Sequence, residues 1–305
     1  MVKKGAEGMK REPIQSLIAE LDAQRIPLHG LAVMHGGELA AEMFFRPGER
    51  ERPHRMYSVS KSVVSLAVGI LQTRGLIRLD QTGAEFFPEW IDETTPPEAK
   101  ATTLRDMLRM TTCHTHRAHQ ETDANWAMQY YKTPAAHWPG GVFGYDSTGT
   151  QVLTALCRKL TGSAVLEFLQ RELFDRIGAT DDKFWMKDLS GVETGGTGLH
   201  LTVRDLARIA DYCMSDGQGI ISETYLRAAT SFQTDTSMKT GDQRYGYGYQ
   251  FWMLREGYAM IGMDGQLALM LPRKRLALCT TADTGEYPGA LQKIIDAFFR
   301  FAETI

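Results

Sequence analysis

Residues 57–72, YSVSKSVVSLAVGILQ, form the most apolar helix-like stretch of the sequence. Ser58 stands at its start, where serine is a preferred helix N-cap. The residues that follow are apolar almost all the way round a helical wheel, which is typical of a buried helix. We therefore predict a buried helix over Ser58–Leu76. Ser58 and Lys61 are three residues apart and lie on the same face of that helix, one turn apart.

This Ser58–Lys61 pair has the chemistry of an activated nucleophile. A lysine at the start of a buried helix is costly to bury in its charged form, so we expect a lowered pKa and a neutral amine able to accept the Ser58 proton. The helix N-terminus also favours negative charge beside the serine. The alternative is an N-cap serine beside an ordinary lysine, since an S-x-x-K match arises about once per 300 residues by chance. Ser60 has no lysine three residues on, and we assign it a structural role.

Strand patterns occur at both ends of the chain. Near the N-terminus, Leu28–Met34 and Glu38–Phe45 flank His35-Gly36-Gly37, which indicates a hairpin. Near the C-terminus, turn residues separate four more strand-like runs: Tyr247–Leu254, Tyr258–Gly262, Leu267–Leu271 and Leu276–Thr280. A last helix is predicted over Pro288–Phe301.

The middle of the chain is helical in pattern. Besides the first helix, we predict helices over Thr103–Met110, Thr148–Leu160, Val165–Ile177 and Val203–Tyr212. Strands at both ends with helices between them indicate an α+β fold, with one antiparallel sheet built from both termini and an inserted helical lobe. We place the sheet lobe at 1–75 and 230–305, the helical lobe at 76–229, and the active site between them.

Composition and charge exclude several classes of protein. The 305 residues are 43% hydrophobic and 23% charged, with a net charge of −3, so a disordered chain, a coiled coil and a nucleic-acid binder do not fit. Four widely spaced cysteines favour scattered thiols over a disulfide frame or zinc site. Because residues 1–16 read as a polar tail without a secretory core, and no run could cross a membrane, we expect a cytoplasmic protein.

Three motifs stand in order along the chain: Ser58-Val59-Ser60-Lys61, Tyr145-Asp146-Ser147 after Pro139-Gly140-Gly141, and the run from Thr194-Gly195-Gly196 to Ala207. Together they resemble the serine β-lactamase and penicillin-binding-protein superfamily. The resemblance is to its class C β-lactamase-like branch, with its esterases, D-aminopeptidases and 6-aminohexanoate-dimer hydrolases. It covers roughly residues 25–300.

The resemblance implies roles for four residues. Ser58 would be the nucleophile and Lys61 its base. Tyr145 would carry the Ser58 proton to the leaving group and then activate the deacylating water. Ser147 stands where the family more often has asparagine, and its hydroxyl would orient Lys61.

A further family motif, K-T-G or a histidine variant, maps best to Gly262-Met263-Asp264-Gly265-Gln266. Met263 takes the lysine position, Asp264 follows, and Gly265 would let substrate approach the backbone. The N–H groups of Ser58 and Gln266 would form the oxyanion hole. A literal Lys239-Thr240-Gly241 lies in a polar stretch without a strand pattern, and we regard it as a chance match. Met263 offers a substrate carboxylate no positive charge, which argues against β-lactam recognition.

We therefore predict a serine hydrolase that cleaves a small ester or amide through an acyl-Ser58 intermediate, without metal or cofactor. The resemblance also implies that the ring-rich segment before the second motif, including Trp138, forms part of the wall of the active site. The spacing of His114, His116 and His119 does not favour a metal site. The alternatives are β-lactamase or DD-peptidase activity, and a catalytically weak binding or sensor module. No membrane or nucleic-acid partner is expected, and the sequence leaves the oligomeric state open.

Overall fold

The computed structural model describes residues 11–285 and 287–305, which fold into a mixed α/β structure. Its strands are β1 Leu28–His35, β2 Glu38–Phe44, β3 His54–Arg55, β4 Phe184–Trp185, β5 Leu199–Leu201, β6 Trp252–Met253, β7 Tyr258–Ile261, β8 Leu267–Leu271 and β9 Leu276–Ala282. Its α-helices are α1 Arg11–Ala23, α2 Val59–Thr73, α3 Gly83–Phe86, α4 Pro97–Ala101, α5 Leu104–Leu108, α6 Trp126–Lys132, α7 Ser147–Thr161, α8 Val165–Leu169, α9 Asp175–Ile177, α10 Val203–Cys213, α11 Glu223–Ala229 and α12 Ala290–Glu303.

The main sheet joins the two ends of the chain. Its six strands are antiparallel in the order β2-β1-β9-β8-β7-β6. The N-terminal hairpin joins the C-terminal strands where β1 pairs with β9, with Ala32 opposite Cys279. The predicted α+β fold, with one antiparallel sheet assembled from both termini, is confirmed.

The sheet is buried on both faces, and side-chain size differs between them. Leucines of β1, β8 and β9 pack with α1 and α12 on one face. On the other face, Ala32, Ala277 and Cys279 belong to the larger core that also contains α2 and α10. Small side chains there let α10 lie close to the sheet: a Cβ on Gly30 would come within 2.9 Å of Val203 Cγ1.

Helix α2 lies at the centre of the helical layer. It packs against α7, α8 and α11, and every residue from Val59 to Leu71 is buried. The predicted buried helix is confirmed, although it ends at Thr73 instead of Leu76. Gly75 has a positive φ of 69°, which a continuing helix does not allow.

Two local predictions need correction. Residues 247–254 were expected to form one strand, but only β6 is a strand, because the chain turns at Gln250, whose φ is 68°.

The second correction concerns the segment 1–16, for which the sequence predicts a polar tail. Residues 1–10 lie outside the described residues, and α1 begins at Arg11. The signal for α1 was present, since Ile14, Leu17 and Leu21 recur at helical spacing and are buried.

The remaining boundaries agree within a few residues. A short π-helical segment, Gln170–Phe174, joins α8 to α9, so the predicted helix 165–177 is continuous. All four cysteines are buried and free, as the spacing predicted. None of the helices in the described ranges has the length and apolarity needed to cross a membrane.

Candidate active site

A small second sheet, β3-β5-β4, fixes the start of α2. After β3, the Met56 N–H still donates to the Leu199 carbonyl at 2.7 Å. Tyr57 then adopts a left-handed backbone with a φ of 45°, which is strained for a non-glycine residue. This abrupt turn places Ser58 at the N-terminus of α2, where its side chain makes no capping hydrogen bond.

The structure brings Lys61 onto Ser58 as the sequence analysis expected. Lys61 Nζ lies 2.9 Å from Ser58 Oγ and 2.7 Å from the Gly196 carbonyl oxygen. Its side chain is 1% exposed. An amine in this position can exchange a proton with Ser58 Oγ directly.

Burial sets the protonation state of Lys61. It lowers the pKa of Lys61 from 10.5 to about 7, and the negative charge of Asp146 opposes that shift. Asp146 is itself buried and is the N-cap of α7, accepting hydrogen bonds from the Thr148 and Gly149 N–H groups. Near neutral pH the neutral amine of Lys61 is therefore well populated.

Lys61 has a second hydrogen-bond partner, the Gly196 carbonyl, which was not predicted from the sequence. The loop that carries Gly196 is tied to α7, because Gly195 N–H donates to Gln151 Oε1 at 2.9 Å. A Cβ on Gly195 would lie 1.8 Å from Thr154 Oγ1, so only glycine fits there. The adjacent glycines of the quoted motif were the available signal.

Tyr145 lies behind Lys61. Lys61 Nζ is 4.9 Å from the centroid of the Tyr145 ring, and the ring stacks on Trp252. Burial raises the pKa of Tyr145 to about 12, although interaction with Ser58 opposes the rise. Tyr145 thus keeps its proton near neutral pH and can relay one only through its neutral hydroxyl.

Ser147 differs from expectation in its contacts. It lines the same cavity as Ser58 and Lys61, and a Cβ on Gly196 would lie 3.4 Å from its Oγ. Within residues 11–285 and 287–305, however, its hydroxyl makes no hydrogen bond to Lys61. The Gly196 carbonyl takes the orienting contact that was expected of Ser147.

The turn 262–266 presents only part of what was expected. Met263 lines the cavity and is 64% exposed. Asp264 has a φ of 59° and closes a tight turn, in which the Gln266 N–H donates to the Met263 carbonyl at 3.2 Å. Gln266 is buried, so this structure does not offer its N–H to the cavity as an oxyanion donor.

Gly265 is also explained by packing. It has a φ of 83°, and an added Cβ would lie 3.0 Å from Ala282 Cβ and 3.3 Å from Ile294 Cδ1. The missing side chain therefore makes room for the protein core, not for substrate. Lys239 lies elsewhere, 5.8 Å from the Phe143 ring centroid.

The cavity beside Ser58 has a volume of about 290 Å³. Trp138 does not line it and is 62% exposed. Trp126 takes the place expected of Trp138, stacked on His119 at 4.2 Å. Seven further lining residues were not predicted from the sequence: Arg55, Tyr57, Arg117, Glu121, Gln151, Gly196 and Thr197.

The histidines weighed as metal ligands have other partners. His114 Nε2 lies 2.9 Å from the Tyr130 carbonyl oxygen, and His119 Nδ1 lies 3.0 Å from Thr148 Oγ1. Within the described part of the chain, the one grouping of three ligand-type side chains is His29, Glu49 and His54. His54 hydrogen-bonds both others, and the three do not line the cavity.

Comparison with known sequences identifies a family. The family model described as Beta-lactamase matches residues 14–290. The chain is 25% identical over 272 aligned residues to the 6-aminohexanoate-dimer hydrolase of Paenarthrobacter ureafaciens, covering 79% of this chain and 69% of that protein.

Comparison with solved structures supports the same fold. D-amino acid amidase from Ochrobactrum anthropi SV3, in complex with L-phenylalanine amide, superposes with a TM-score of 0.75 at 15% identity, covering 96% of this chain and 97% of that one. A class C β-lactamase mutant superposes with a TM-score of 0.76 at 14% identity, covering 97% of each chain. At these identities the superpositions establish the fold.

Proposed function

Because the chain belongs to the β-lactamase family, we propose that it is a serine hydrolase cleaving a small amide or ester through an acyl-Ser58 intermediate. One observation carries the proposal. Ser58 Oγ lies 2.9 Å from the amine of buried Lys61, and burial brings the pKa of that amine to about 7. A neutral amine at hydrogen-bond distance is what a serine needs to become a nucleophile.

In the acylation step, Ser58 Oγ attacks the substrate carbonyl while its proton moves to Lys61 Nζ. Negative charge develops on the carbonyl oxygen at the N-terminus of α2, a 15-residue helix, whose dipole favours it. The Ser58 N–H makes no hydrogen bond to another described residue, so it is free to donate to that oxygen. The Gly196 carbonyl and the field of Asp146 stabilise the ammonium on Lys61.

In the steps that follow, the proton passes through the Tyr145 hydroxyl to the leaving amine or alcohol, which departs as the acyl-Ser58 ester forms. Water then attacks that ester. A proton of that water passes back through Tyr145 and Lys61 to Ser58 Oγ, and the carboxylic acid is released. Because Tyr145 retains its proton near neutral pH, Lys61 is the resident base and Tyr145 is the relay.

The substrate class follows from the relatives and the cavity. The two relatives named as hydrolase and amidase favour an amide. The cavity of about 290 Å³ suits a small acyl group. Met263 lines the cavity, and the resemblance assigns it to the lysine position of the K-T-G motif; since methionine offers a β-lactam carboxylate no positive charge, we expect little reaction with penicillin.

The proposal is tested by labelling with a fluorophosphonate, followed by intact-protein and peptide mass spectrometry. We expect one adduct per chain, on Ser58, and turnover of p-nitrophenyl butyrate with little penicillin acylation. The Ser58→Ala protein is the matched control and should remain unlabelled. Absence of both adduct and turnover would overturn the proposal in favour of a binding module.

The pH dependence gives a second test. Since only neutral Lys61 accepts the Ser58 proton, kcat/KM should rise with pH along a limb centred near the Lys61 pKa of about 7. The measurement is the kcat/KM profile from about pH 5.5 to about pH 8.5. A profile that is flat across this range would contradict Lys61 as the base.

A further inference from the structure

Arg55 lines the cavity beside Ser58. It is half-buried at the end of β3 and is held in place. Its Nη2 donates to Thr197 Oγ1 at 3.2 Å and its Nε to the Thr197 carbonyl at 3.4 Å. The guanidinium also lies over the Tyr57 ring, 4.9 Å from its centroid. A planar cation fixed in this way is preorganised for a ligand.

The charge of Arg55 has no acidic partner. No carboxylate of residues 11–285 or 287–305 lies within ion-pair distance of it, whereas Arg204 contacts both Glu42 and Asp181. Its Nη1 makes no hydrogen bond to a described residue. Glu121 and Arg117 also line the cavity, but both side chains are exposed, where solvent screens their charges.

We infer that Arg55 binds an anionic group of the substrate, specifically a carboxylate. This inference rests on the proposed function, since it concerns the same cavity. Guanidinium and carboxylate match in geometry as well as in charge. Met263 brings no positive charge to the cavity, and Arg55 supplies one from β3. The preferred substrate is therefore a small amide or ester bearing a carboxylate on its acyl or leaving group.

Two matched substrate pairs test this on wild-type and Arg55→Gln protein. The acyl pair is the mono-4-nitrophenyl ester of glutaric acid against 4-nitrophenyl pentanoate. The leaving-group pair is 4-carboxyphenyl butyrate against 4-carbamoylphenyl butyrate. For at least one pair we expect the wild type to favour the carboxylate. Arg55→Gln should lower kcat/KM for that substrate roughly 10- to 100-fold and for its neutral partner less than about threefold.

A structural role for Arg55 must be separated from binding, because Arg55 holds the loop that presents Gly196 to Lys61. Thr197→Val removes the hydrogen bond from Arg55 to Thr197 Oγ1 but keeps the charge. It should lower kcat/KM for charged and neutral substrates alike, each by less than about threefold. Arg78→Gln removes an exposed arginine remote from the cavity and should leave both unchanged.

Binding without turnover separates this inference from the proposed function. The Ser58→Ala protein, with and without Arg55→Gln, is titrated with the 4-nitroanilides of glutarate and pentanoate, and with 4-carboxyphenyl and 4-carbamoylphenyl butyrate. Tighter binding of the carboxylate compound of either pair, lost with Arg55→Gln, supports the inference even if no substrate is turned over. Equal affinities within both pairs, or equal losses on charged and neutral substrates, would overturn it while leaving an active serine hydrolase intact.

Discussion

Ser58→Ala should lose turnover almost completely and keep its fold. We expect kcat to fall by about 10⁴-fold or more, because no covalent intermediate can form and only binding and electrostatic effects remain. The free energy of unfolding should change by less than about 1 kcal/mol, since Ser58 makes no capping bond. Steady-state kinetics with p-nitrophenyl butyrate and urea unfolding measure the two effects.

Ser60 provides the matched control on the same helix. It is fully buried, and its Oγ accepts a hydrogen bond from the Leu199 N–H at 3.1 Å. Ser60→Ala leaves that N–H unpaired and should cost about 1 to 3 kcal/mol of stability, while turnover persists. If Ser58→Ala kept wild-type turnover, Ser58 would not be the nucleophile, whereas loss of turnover in a folded Ser60→Ala protein would contradict the purely structural role assigned to Ser60.

The features predicted well from the sequence are local ones. Ser58 and Lys61 lie one helical turn apart, so the helix alone brings them together. The strength of the apolar pattern also indicated the burial that lowers the Lys61 pKa. The sheet was predictable because the strands of each terminus carry their own turn residues. Which strands of the two termini pair with each other was not predicted, and the β1–β9 pairing is known from the structure.

The features that could not be predicted depend on contacts distant in sequence or on backbone angles. Gly196 is 135 residues from Lys61, and no spacing rule relates a carbonyl to an amine that far away. The orientation of the Gln266 N–H depends on the left-handed Asp264. Trp138 was chosen from a ring-rich segment, but composition does not say which ring faces the cavity. Arg55 was not predicted as a site residue because only the folded structure shows which described carboxylates lie near it and which do not.

Lys61→Met should lose turnover and gain stability. Methionine is close to lysine in length, so it fills the buried space but accepts no proton from Ser58, and we expect kcat to fall by at least about 10³-fold. The gain arises because the folded state disfavours the charge of Lys61. Its pKa is lowered from 10.5 to about 7 by burial. Near neutral pH the lysine is fully charged in the unfolded chain, and burying it in the folded state therefore costs free energy. The uncharged methionine side chain of the variant would carry no such penalty.

The sign of the pH dependence makes this prediction specific. Between the folded pKa of about 7 and the unfolded value of 10.5, the unfolded chain binds more protons, so this lysine makes stability rise with pH. The stability advantage of Lys61→Met should therefore be fully present below about pH 7 and shrink toward pH 10. Urea unfolding at several pH values measures it, and Lys187→Met, at an exposed lysine, should show no comparable trend. A Lys61→Met protein that kept wild-type turnover would contradict Lys61 as the base, and one that was less stable than wild type at every pH would contradict the destabilising effect of its charge.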